Sequence, residues 1–311
     1  MKCGFVAIIG RPSAGKSSLL NAICGEKTAI TSPIPQTTRN AVRGIVNTPA
    51  GQIIFLDTPG YHLSDKKING YFKDSVLRSI NEADAVLYVI DASRLPGREE
   101  FAVMELIKKT RLPIAVAVNK TDLQPPHLAE IRGLILARLQ PAALINVSAL
   151  QSLNIRELRD AIMELCPEGL PHYPPDCYTD QTPEFRMAEI IREQAIARCG
   201  QEIPHALYVD IADMEFTPSH GGNESMEYPL AAPELSPKKL WVRAFIMVER
   251  SSQAGILVGH RGERIREIRI ASLRAMKKIF PWKITLDLRV KVHPKWRKKD
   301  PLLKQMYGAE D

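Results

Sequence analysis

Long apolar runs and clustered cysteines are missing from this sequence of 311 residues. Hydrophobic residues make up 45% of it, yet no run approaches the roughly 18 to 20 apolar residues that a membrane-spanning helix needs. The five cysteines lie far apart without a C-x-x-C pair, which argues against a zinc site and a disulfide framework. The apolar residues 5–9 are too few for the core of a signal peptide. We therefore expect a protein of the reducing cytoplasm.

Acidic residues are scarce in one region, residues 238–304, which holds 19 Lys and Arg against 5 Asp and Glu. The net charge there is +14, against +4 for residues 1–168 and −9 for residues 169–237. A basic stretch of this size suits the phosphates of nucleic acid or of an anionic membrane. Positive charge alone more often indicates only a solvated surface, so the motifs in this region have to show whether it binds phosphates.

The length predicts two domains. In the first 166 residues, short apolar runs alternate with amphipathic stretches of helical length, which predicts a doubly wound α/β domain. The predicted strands are 6–10, 43–46, 53–57, Ala85–Asp91, Ile114–Asn119 and 144–147, and the predicted helices are Lys16–Cys24, 71–81, 99–108, Leu128–Leu139 and Ile155–Leu165. The second and third strands are too close for a crossover helix, so we expect a hairpin and a six-stranded mixed sheet.

A Pro-rich segment, 169–183, is incompatible with a helix or central strand and is predicted to be a linker. It separates a domain at 1–168 from an α+β domain at 184–311. The elements predicted in the latter are a helix at 184–199, strands at 206–215 and 240–249, a short helix, a helix at 263–280 and a strand at Lys283–Val292. Residues 217–237 are predicted to be a long mobile loop.

A glycine-rich loop between the first strand and the first helix matches G-x-x-x-x-G-K-[ST]. It consists of Gly10, Arg11, Pro12, Ser13, Ala14, Gly15, Lys16 and Ser17, and Ser18 follows in the helix. Such a loop directs backbone N–H groups at phosphates, Lys16 is predicted to bridge the outer phosphates, and the Ser17 hydroxyl to ligate Mg²⁺. A chance glycine-rich turn is the alternative, which the flanking strand and helix disfavour.

A D-x-x-G turn ends the third predicted strand. It consists of Asp57, Thr58, Pro59 and Gly60. Asp57 is placed to hold Mg²⁺ through water, and Gly60 to offer an N–H to a γ-phosphate. The turn is weak evidence alone, because such turns often just end a strand.

Two further loops indicate which base the bound nucleotide carries. Asn119-Lys120-Thr121-Asp122 ends the fifth strand, and the Asp122 carboxylate can accept hydrogen bonds from the N1–H and amino group of guanine. Adenine lacks both donors, so GTP is favoured over ATP. Asn119 is expected to tie this loop to the phosphate loop, and the Lys120 stem to lie on the base. The last loop, Ser148, Ala149 and Leu150, is placed to offer an N–H to guanine O6, although Ser148 alone is more often an ordinary strand end.

Four such elements at the carboxyl ends of strands resemble the signature of the P-loop GTPases. The resemblance assigns Thr38, with Thr37 as the alternative, to a first switch that closes on Mg²⁺ and the γ-phosphate. Lys16, Thr38 and Gly60 are then the catalytic groups. Tyr61 replaces the glutamine that orients water in Ras-like GTPases, so we expect slow intrinsic hydrolysis. For Arg39 and His62, ordinary switch contacts are favoured over an arginine finger and a general base.

The basic region contains the motif Gly259-His260-Arg261-Gly262 before a helix. A G-x-x-G loop between short helices is how KH domains clamp single-stranded nucleic acid, and the predicted element order resembles a type II KH domain. Predicted phosphate contacts are Arg261, Arg264, Arg266 and Arg269, and a predicted apolar groove for bases is formed by Ile256, Val258, Ile265 and Ile268, each with the core as its alternative. Packing is favoured for Trp282 and Trp296.

Together, the two halves resemble the Era family, bacterial GTPases with a C-terminal KH domain. The resemblance covers nearly the whole chain and rests on 36–39, 57–62, 189–193 and 258–262. It implies a Mg²⁺-dependent, GTP-gated protein that binds the 3′ end of 16S ribosomal RNA and assists assembly of the small ribosomal subunit.

The sequence departs from the family pattern at three places and in loop 217–237, which is longer than expected for the family. Ser13 replaces an asparagine that helps related GTPases bind an activating K⁺, which puts K⁺ stimulation in doubt. Leu150 replaces a frequent lysine, and Ala254-Gly255 replaces frequent lysines. We expect a monomer. Two hypotheses stay open as alternatives: an RNA-binding scaffold with negligible GTP turnover, and peripheral association of the basic tail 295–299 with anionic lipid at the inner face of the membrane.

Overall fold

The computed structural model describes residues 1–32, 42–60, 67–199, 207–217 and 239–296, with the backbone alone for 67–72. Within these residues the chain forms two compact units, Met1–Gln181 and Thr182–Trp296. Several residues singled out from the sequence lie outside the described residues: Thr37, Thr38, Arg39, Tyr61, His62, 218–237 and 297–299.

The first unit is built on a six-stranded sheet flanked by helices. Its strands are β1 (Lys2–Ile9), β2 (Val42–Thr48), β3 (Gly51–Asp57), β4 (Ala85–Asp91), β5 (Ile114–Asn119) and β6 (Ala143–Asn146), and its helices are α1 (Lys16–Cys24), α2 (Lys67–Glu82), α3 (Arg98–Lys108), α4 (Leu128–Leu139) and α5 (Ile155–Leu165). The strand order is β2-β3-β1-β4-β5-β6, and β2 alone of these strands runs antiparallel. The predicted mixed sheet and its hairpin are confirmed.

The core explains the uninterrupted apolar sequences of the central strands. Every residue of β3 and β4 is buried, because a parallel sheet covered on both faces has no solvent side. Val103 and Ile107 of α3 and Ile131 of α4 pack with β4 in one cluster. Full burial of such a side chain contributes about 1.5 to 3 kcal/mol. The same core fixes the carboxyl ends of β1, β3, β4, β5 and β6, where the loops of interest begin.

The Pro-rich segment packs against the first unit up to Gln181. The backbone N–H of Ile45 in β2 donates to Tyr178 O at 2.9 Å. The Gln52 side chain also donates to Tyr173 O at 2.8 Å. Proline removes N–H donors, but carbonyls and side chains still pair with the edge strand. Gln181 is the last residue of this unit before the boundary.

The second unit has the helix, strand, strand, helix, helix, strand order of a type II KH domain, as predicted. Its elements are α6 (Pro183–Arg198), β7 (Tyr208–Thr217), β8 (Lys239–Val248), α7 (Ser251–Val258), α8 (Glu263–Met276) and β9 (Lys283–Val292). The sheet order is β7-β8-β9, with β7 antiparallel and β9 parallel to β8. Thr182 caps α6 by accepting a hydrogen bond from Phe185 N, with Pro183 at the first helical position.

One predicted boundary in this unit is wrong. The helix predicted at 263–280 ends at Met276. Beyond it three-residue turns appear, as from Lys278 N to Ala275 O, beside a last four-residue bond from Phe280 N to Met276 O. Pro281 disfavours helical backbone in the residue before it. None of the helices in the described ranges has the length and apolarity to cross a membrane.

Candidate functional site

The phosphate loop connects β1 to α1 and is closed on itself. Lys16 Nζ donates to the carbonyls of Gly10 at 3.1 Å and Arg11 at 3.2 Å. Gly15 has φ 93°, and a Cβ there would lie 2.3 Å from Asn119 Nδ2. Only glycine therefore allows this loop to approach the loop that follows β5.

The ammonium group of Lys16 is almost fully enclosed, with 6% of the residue exposed. Burial lowers the pKa of Lys16 to about 8, although Asp57 and Glu100 act in the opposite direction. A polyphosphate between the loop N–H groups would supply the missing negative charge. The site thus holds a cation whose natural partner is an anion.

Two oxygen groups that could ligate Mg²⁺ lie beside the phosphate loop. The Ser17 hydroxyl donates to Asp57 Oδ2 at 2.7 Å, and Asp57 is fully buried. A hydroxyl and a carboxylate are hard oxygen ligands that suit Mg²⁺. Thr58 is occupied otherwise, because its hydroxyl donates to Ile8 O at 2.8 Å. Gly60 lies against Pro12 of the phosphate loop, where a Cβ would be 2.7 Å from Pro12 Cα.

The loop after β5 is bonded to the phosphate loop through two side chains. Asn119 Nδ2 donates to Ala14 O at 2.9 Å, and Lys120 Nζ donates to Ser13 O at 2.8 Å. Asp122 follows in a short turn, where it is half-buried. The arrangement brings the predicted base-reading carboxylate and the phosphate loop into one site.

The loop after β6 leaves a single candidate donor for a base. Ala149 N donates to Asn119 Oδ1 at 3.0 Å, and Ser148 N donates to Leu153 O at 3.3 Å. Of the three predicted residues, Leu150 is the one whose N–H makes no such bond in the described part of the chain. The Leu150 side chain is 86% exposed. The replacement of the frequent lysine by leucine at this position therefore changes a solvent-facing side chain.

A buried group of charges lies beneath these loops, and its acidic members were not predicted from the sequence. Arg11 Nη2 lies 3.3 Å from Asp91 Oδ2, and Arg11 Nε lies 2.5 Å from Glu100 Oε2. Asp91 Oδ2 also accepts from Lys120 Nζ at 2.8 Å, and Tyr88 Oη donates to Glu100 at 2.7 Å. Asp91 therefore connects the phosphate loop to the base-reading loop. The Arg11 side chain is directed into this group, and its carbonyl accepts from Lys16, so the Arg11 N–H is its candidate contact for a phosphate.

The pKa values in this group follow from burial and bonding. Burial raises the pKa of Glu100. Burial acts in the same direction on Asp91, but hydrogen bonds from Lys120 and Ser93 lower the pKa of Asp91 overall. The position of Asp91 in the sequence could have indicated its role, because it ends β4, which lies between two strands whose ends carry motifs. For Glu100, a helix residue distant in sequence, no motif gave a signal.

The second candidate site is the loop between α7 and α8. Gly262 has φ 80°, and a Cβ there would meet no atom within 4 Å. The loop backbone is thus open to a bulky ligand at this point. His260 and Arg261 are exposed, and α8 begins directly after the loop, so its N-terminal N–H groups add positive potential.

The four arginines and four apolar residues of this site are not equivalent. Arg261, Arg266 and Arg269 are exposed, whereas Arg264 Nη1 donates to Ile256 O at 2.9 Å and so also caps α7. Exposed Val258 and half-buried Ile256 and Ile265 border the loop, while Ile268 is fully buried in the core. Ile268 therefore does not face a groove.

Trp282 and Trp296, two of the three tryptophans of this unit, pack as favoured from the sequence. Trp296 is fully buried and lies edge-on to Tyr208 at 4.8 Å between ring centroids. Trp282 stacks on Phe280 with centroids 5.4 Å apart.

Two family models match this chain. One is described as a 50S ribosome-binding GTPase and matches residues 5–120, and the other is described as a KH domain and matches residues 230–297. The first covers the phosphate loop, the D-x-x-G turn and Asn119-Lys120 of the first site, and the second covers the G-x-x-G loop.

Several relatives are similar to this chain over nearly its whole length. GTPase Era of Treponema denticola is 44% identical over 309 residues, covering 98% of this chain and 99% of the relative. GTPase Era of Borreliella afzelii is 42% identical over 307 residues, covering 98% and 99%. A crystal structure of Era in complex with MgGDPNP and nucleotides 1506–1542 of 16S ribosomal RNA has a TM-score of 0.88, with 32% identity and 99% of both chains covered. A variant of Aquifex aeolicus Era bound to GDP·AlF4⁻ has a TM-score of 0.87 with the same identity and coverage. The chain belongs to the Era family of GTPases.

Proposed function

We propose that this protein is a GTP-hydrolysing switch that binds the 3′ end of 16S ribosomal RNA and assists assembly of the small ribosomal subunit. The observation that carries the proposal is that the four sequence motifs of the first unit meet at one edge of its sheet. Hydrogen bonds join them there: from Asn119 and Lys120 to the phosphate loop, from Ser17 to Asp57, and from Ala149 N to Asn119. The second unit adds an exposed, basic G-x-x-G loop.

In this proposal, phosphate binding uses the loop backbone and Lys16. The groups proposed to contact the nucleotide phosphates are Gly10, Arg11, Pro12, Ser13, Ala14, Gly15, Lys16, Ser17, Ser18, Thr58, Pro59 and Gly60. Bound Mg²⁺ would be held by Ser17, Asp57 and Thr38, and would supply charge neutralisation between the outer phosphates. Lys16 and the Gly60 N–H would stabilise the charge that develops on the γ-phosphoryl group.

Base selection is assigned to Asp122, with Asn119 and Lys120 positioning its loop and Ser148, Ala149 and Leu150 closing the far side. The half-buried Asp122 carboxylate is left without both donors of guanine when adenine is bound, which penalises adenine. No residue in this scheme replaces the water-orienting glutamine, so the intrinsic rate is slow and a bound partner accelerates it by ordering the switches.

RNA binding is assigned to the domain at 184–311. Its proposed contacts are Ile256, Val258, Gly259, His260, Arg261, Gly262, Arg264, Ile265, Arg266 and Arg269. The glycines allow a sugar-phosphate backbone to approach, and the exposed arginines bind its phosphates.

The finer parts of the proposal concern ions, location and assembly state. With serine at the asparagine position, Ser13, we expect little stimulation by K⁺. We place the protein in the cytoplasm as a monomer, with peripheral membrane association as the alternative for its basic tail.

Phosphate release tests the enzymatic part of the proposal. Purified protein is incubated with GTP, with and without small ribosomal subunits, and we expect slow release that the subunits accelerate. Lack of release in both samples would leave an RNA-binding scaffold that uses GTP without turnover. Sedimentation with anionic vesicles, compared with neutral vesicles, tests the membrane alternative.

A further inference from the structure

Arg43 lies where three parts of the first unit meet. It is the second residue of β2, directly after the segment assigned to the first switch. Arg43 Nη2 is 2.7 Å from Glu82 Oε1, and Nη1 is 3.1 Å from Asp180 Oδ2. Glu82 ends α2, the helix that follows the D-x-x-G loop, and Asp180 precedes the α6 cap Thr182 by two residues.

Backbone and side-chain hydrogen bonds attach the same segment to both sides of the first switch. On the far side, Thr179 Oγ1 donates to Arg43 O at 2.8 Å. On the near side, Gln181 Nε2 donates to Thr28 O at 2.8 Å. The residues just before α6 therefore contact the chain on either side of the residues assigned to the γ-phosphate.

The strength of these ion pairs suits a reversible contact. The side chains of Arg43, Glu82 and Asp180 are 38%, 41% and 32% exposed. Solvent screens pairs of this exposure, so they add little to folding stability. Tyr173 Oη also donates to Asp180 Oδ2 at 3.0 Å, which fixes the direction of this carboxylate. Such contacts can be exchanged without unfolding the unit.

We propose that Arg43 is a positioning residue that couples the nucleotide bound by the first unit to RNA affinity in the second. This inference rests on the proposed function. Thr28 and Arg43 lie on either side of the residues assigned to the γ-phosphate, and both contact the segment before α6, so a change between them on nucleotide exchange would alter the distances from Arg43 to Glu82 and Asp180. Asp180 is joined through Thr182 to α6, which packs against α8, the helix that begins at the RNA loop. If the ion pairs of Arg43 adopt a different arrangement in each nucleotide state, they couple the nucleotide site to the RNA loop, as allosteric coupling requires.

The test is the ratio of RNA dissociation constants measured with GDP and with a non-hydrolysable GTP analogue. The full-length chain is titrated with an oligonucleotide of the 16S ribosomal RNA 3′ end. We expect a ratio of about fivefold or more for the wild type, and a ratio near one for Arg43→Ala. Arg43→Lys, which keeps the charge, should retain part of the ratio. Arg156→Ala, which removes an exposed ion pair with Asp160 on α5, is the matched control and should keep all of it.

A purely structural role for Arg43 would lower affinity in both nucleotide states and leave the ratio intact. A wild-type ratio in Arg43→Ala, with normal GTP affinity, therefore overturns the inference. If that variant does not fold, the isosteric Asp180→Asn carries the same test, and the double variant should lose no more of the ratio than either single one. If the wild-type protein does not bind the RNA, the proposed function is wrong. If the wild-type protein binds the RNA with the same affinity in every nucleotide state, both the proposed GTP-gated binding and this inference are wrong.

Discussion

Three polar groups of the nucleotide site are buried and hydrogen bonded within it, whereas the arginines proposed to contact RNA phosphates are mostly exposed. Lys16, Asp57 and Asn119 are 6%, 0% and 2% exposed, and each is hydrogen bonded to another loop of the site or within its own loop. Arg261, Arg266 and Arg269 face solvent on one loop and one helix. The first site is assembled from distant parts of the chain and the second from neighbours in sequence.

This difference matches what each site has to recognise. Buried donors and acceptors penalise every ligand that fails to pair with them, which suits selection of one small molecule. Exposed cations on an open loop contribute affinity without demanding one geometry, which suits a flexible polymer. The consequence is testable, since changes in the first unit should alter selectivity and changes in the second should alter affinity and its salt dependence.

The largest effect should come from Asp122→Asn. The asparagine cannot accept both guanine donors, so GTP affinity should fall by about 100-fold or more, while xanthosine triphosphate gains affinity. Titration with both nucleotides measures the change, and Asp160→Asn on the exposed face of α5 is the control. An unaltered preference for guanine would refute the base assignment.

Gly262→Asp should give the largest effect in the second unit. The carboxylate would project into the open space where phosphates are expected, and RNA affinity should fall by about tenfold or more from repulsion and lost approach. GTP affinity should not change. Gly262→Ala separates the causes, because it shares the backbone strain of about 1 to 2 kcal/mol without the charge. RNA binding by the Asp variant equal to wild type would contradict the clamp.

Raising the pH should separate the two units. The pKa of Lys16 is lowered to about 8, so the free protein loses this charge above pH 8, and nucleotide binding must then take up a proton. GTP affinity should fall as pH rises, by up to about tenfold between pH 8 and 9. RNA affinity should stay level, since guanidinium groups remain charged there. If GTP affinity and RNA affinity changed equally with pH, the predicted difference between the two units would be wrong.

The smallest effect should come from Arg269→Ala. Losing one phosphate contact should weaken RNA binding a few-fold and reduce the slope of log affinity against log salt by about 1. Arg274→Ala, five residues further along α8 and outside the proposed contacts, is the matched control. If the slope changes only in the control, the interface lies further along the helix than proposed.

Sequence patterns predicted what local spacing determines. The loop at Gly10–Ser17 and the G-x-x-G loop were found because each function needs fixed residue types at fixed intervals. Asp91 and Glu100 were missed because their roles depend on which strands become neighbours. The same limit applies to residues 169–181, whose proline content predicted a linker, while their contacts with β2 come from tertiary packing. Ile268 lies on the helix face opposite its exposed neighbours, which residue type alone did not reveal.

The central claim is that the nucleotide in the first unit controls the affinity of the second for RNA. The most direct measurement is a titration of the full-length protein with the 16S ribosomal RNA 3′ end under three conditions: without nucleotide, with a non-hydrolysable GTP analogue and with GDP. We predict the tightest binding with the analogue, by about fivefold or more over GDP. Identical dissociation constants under all three conditions would contradict the account.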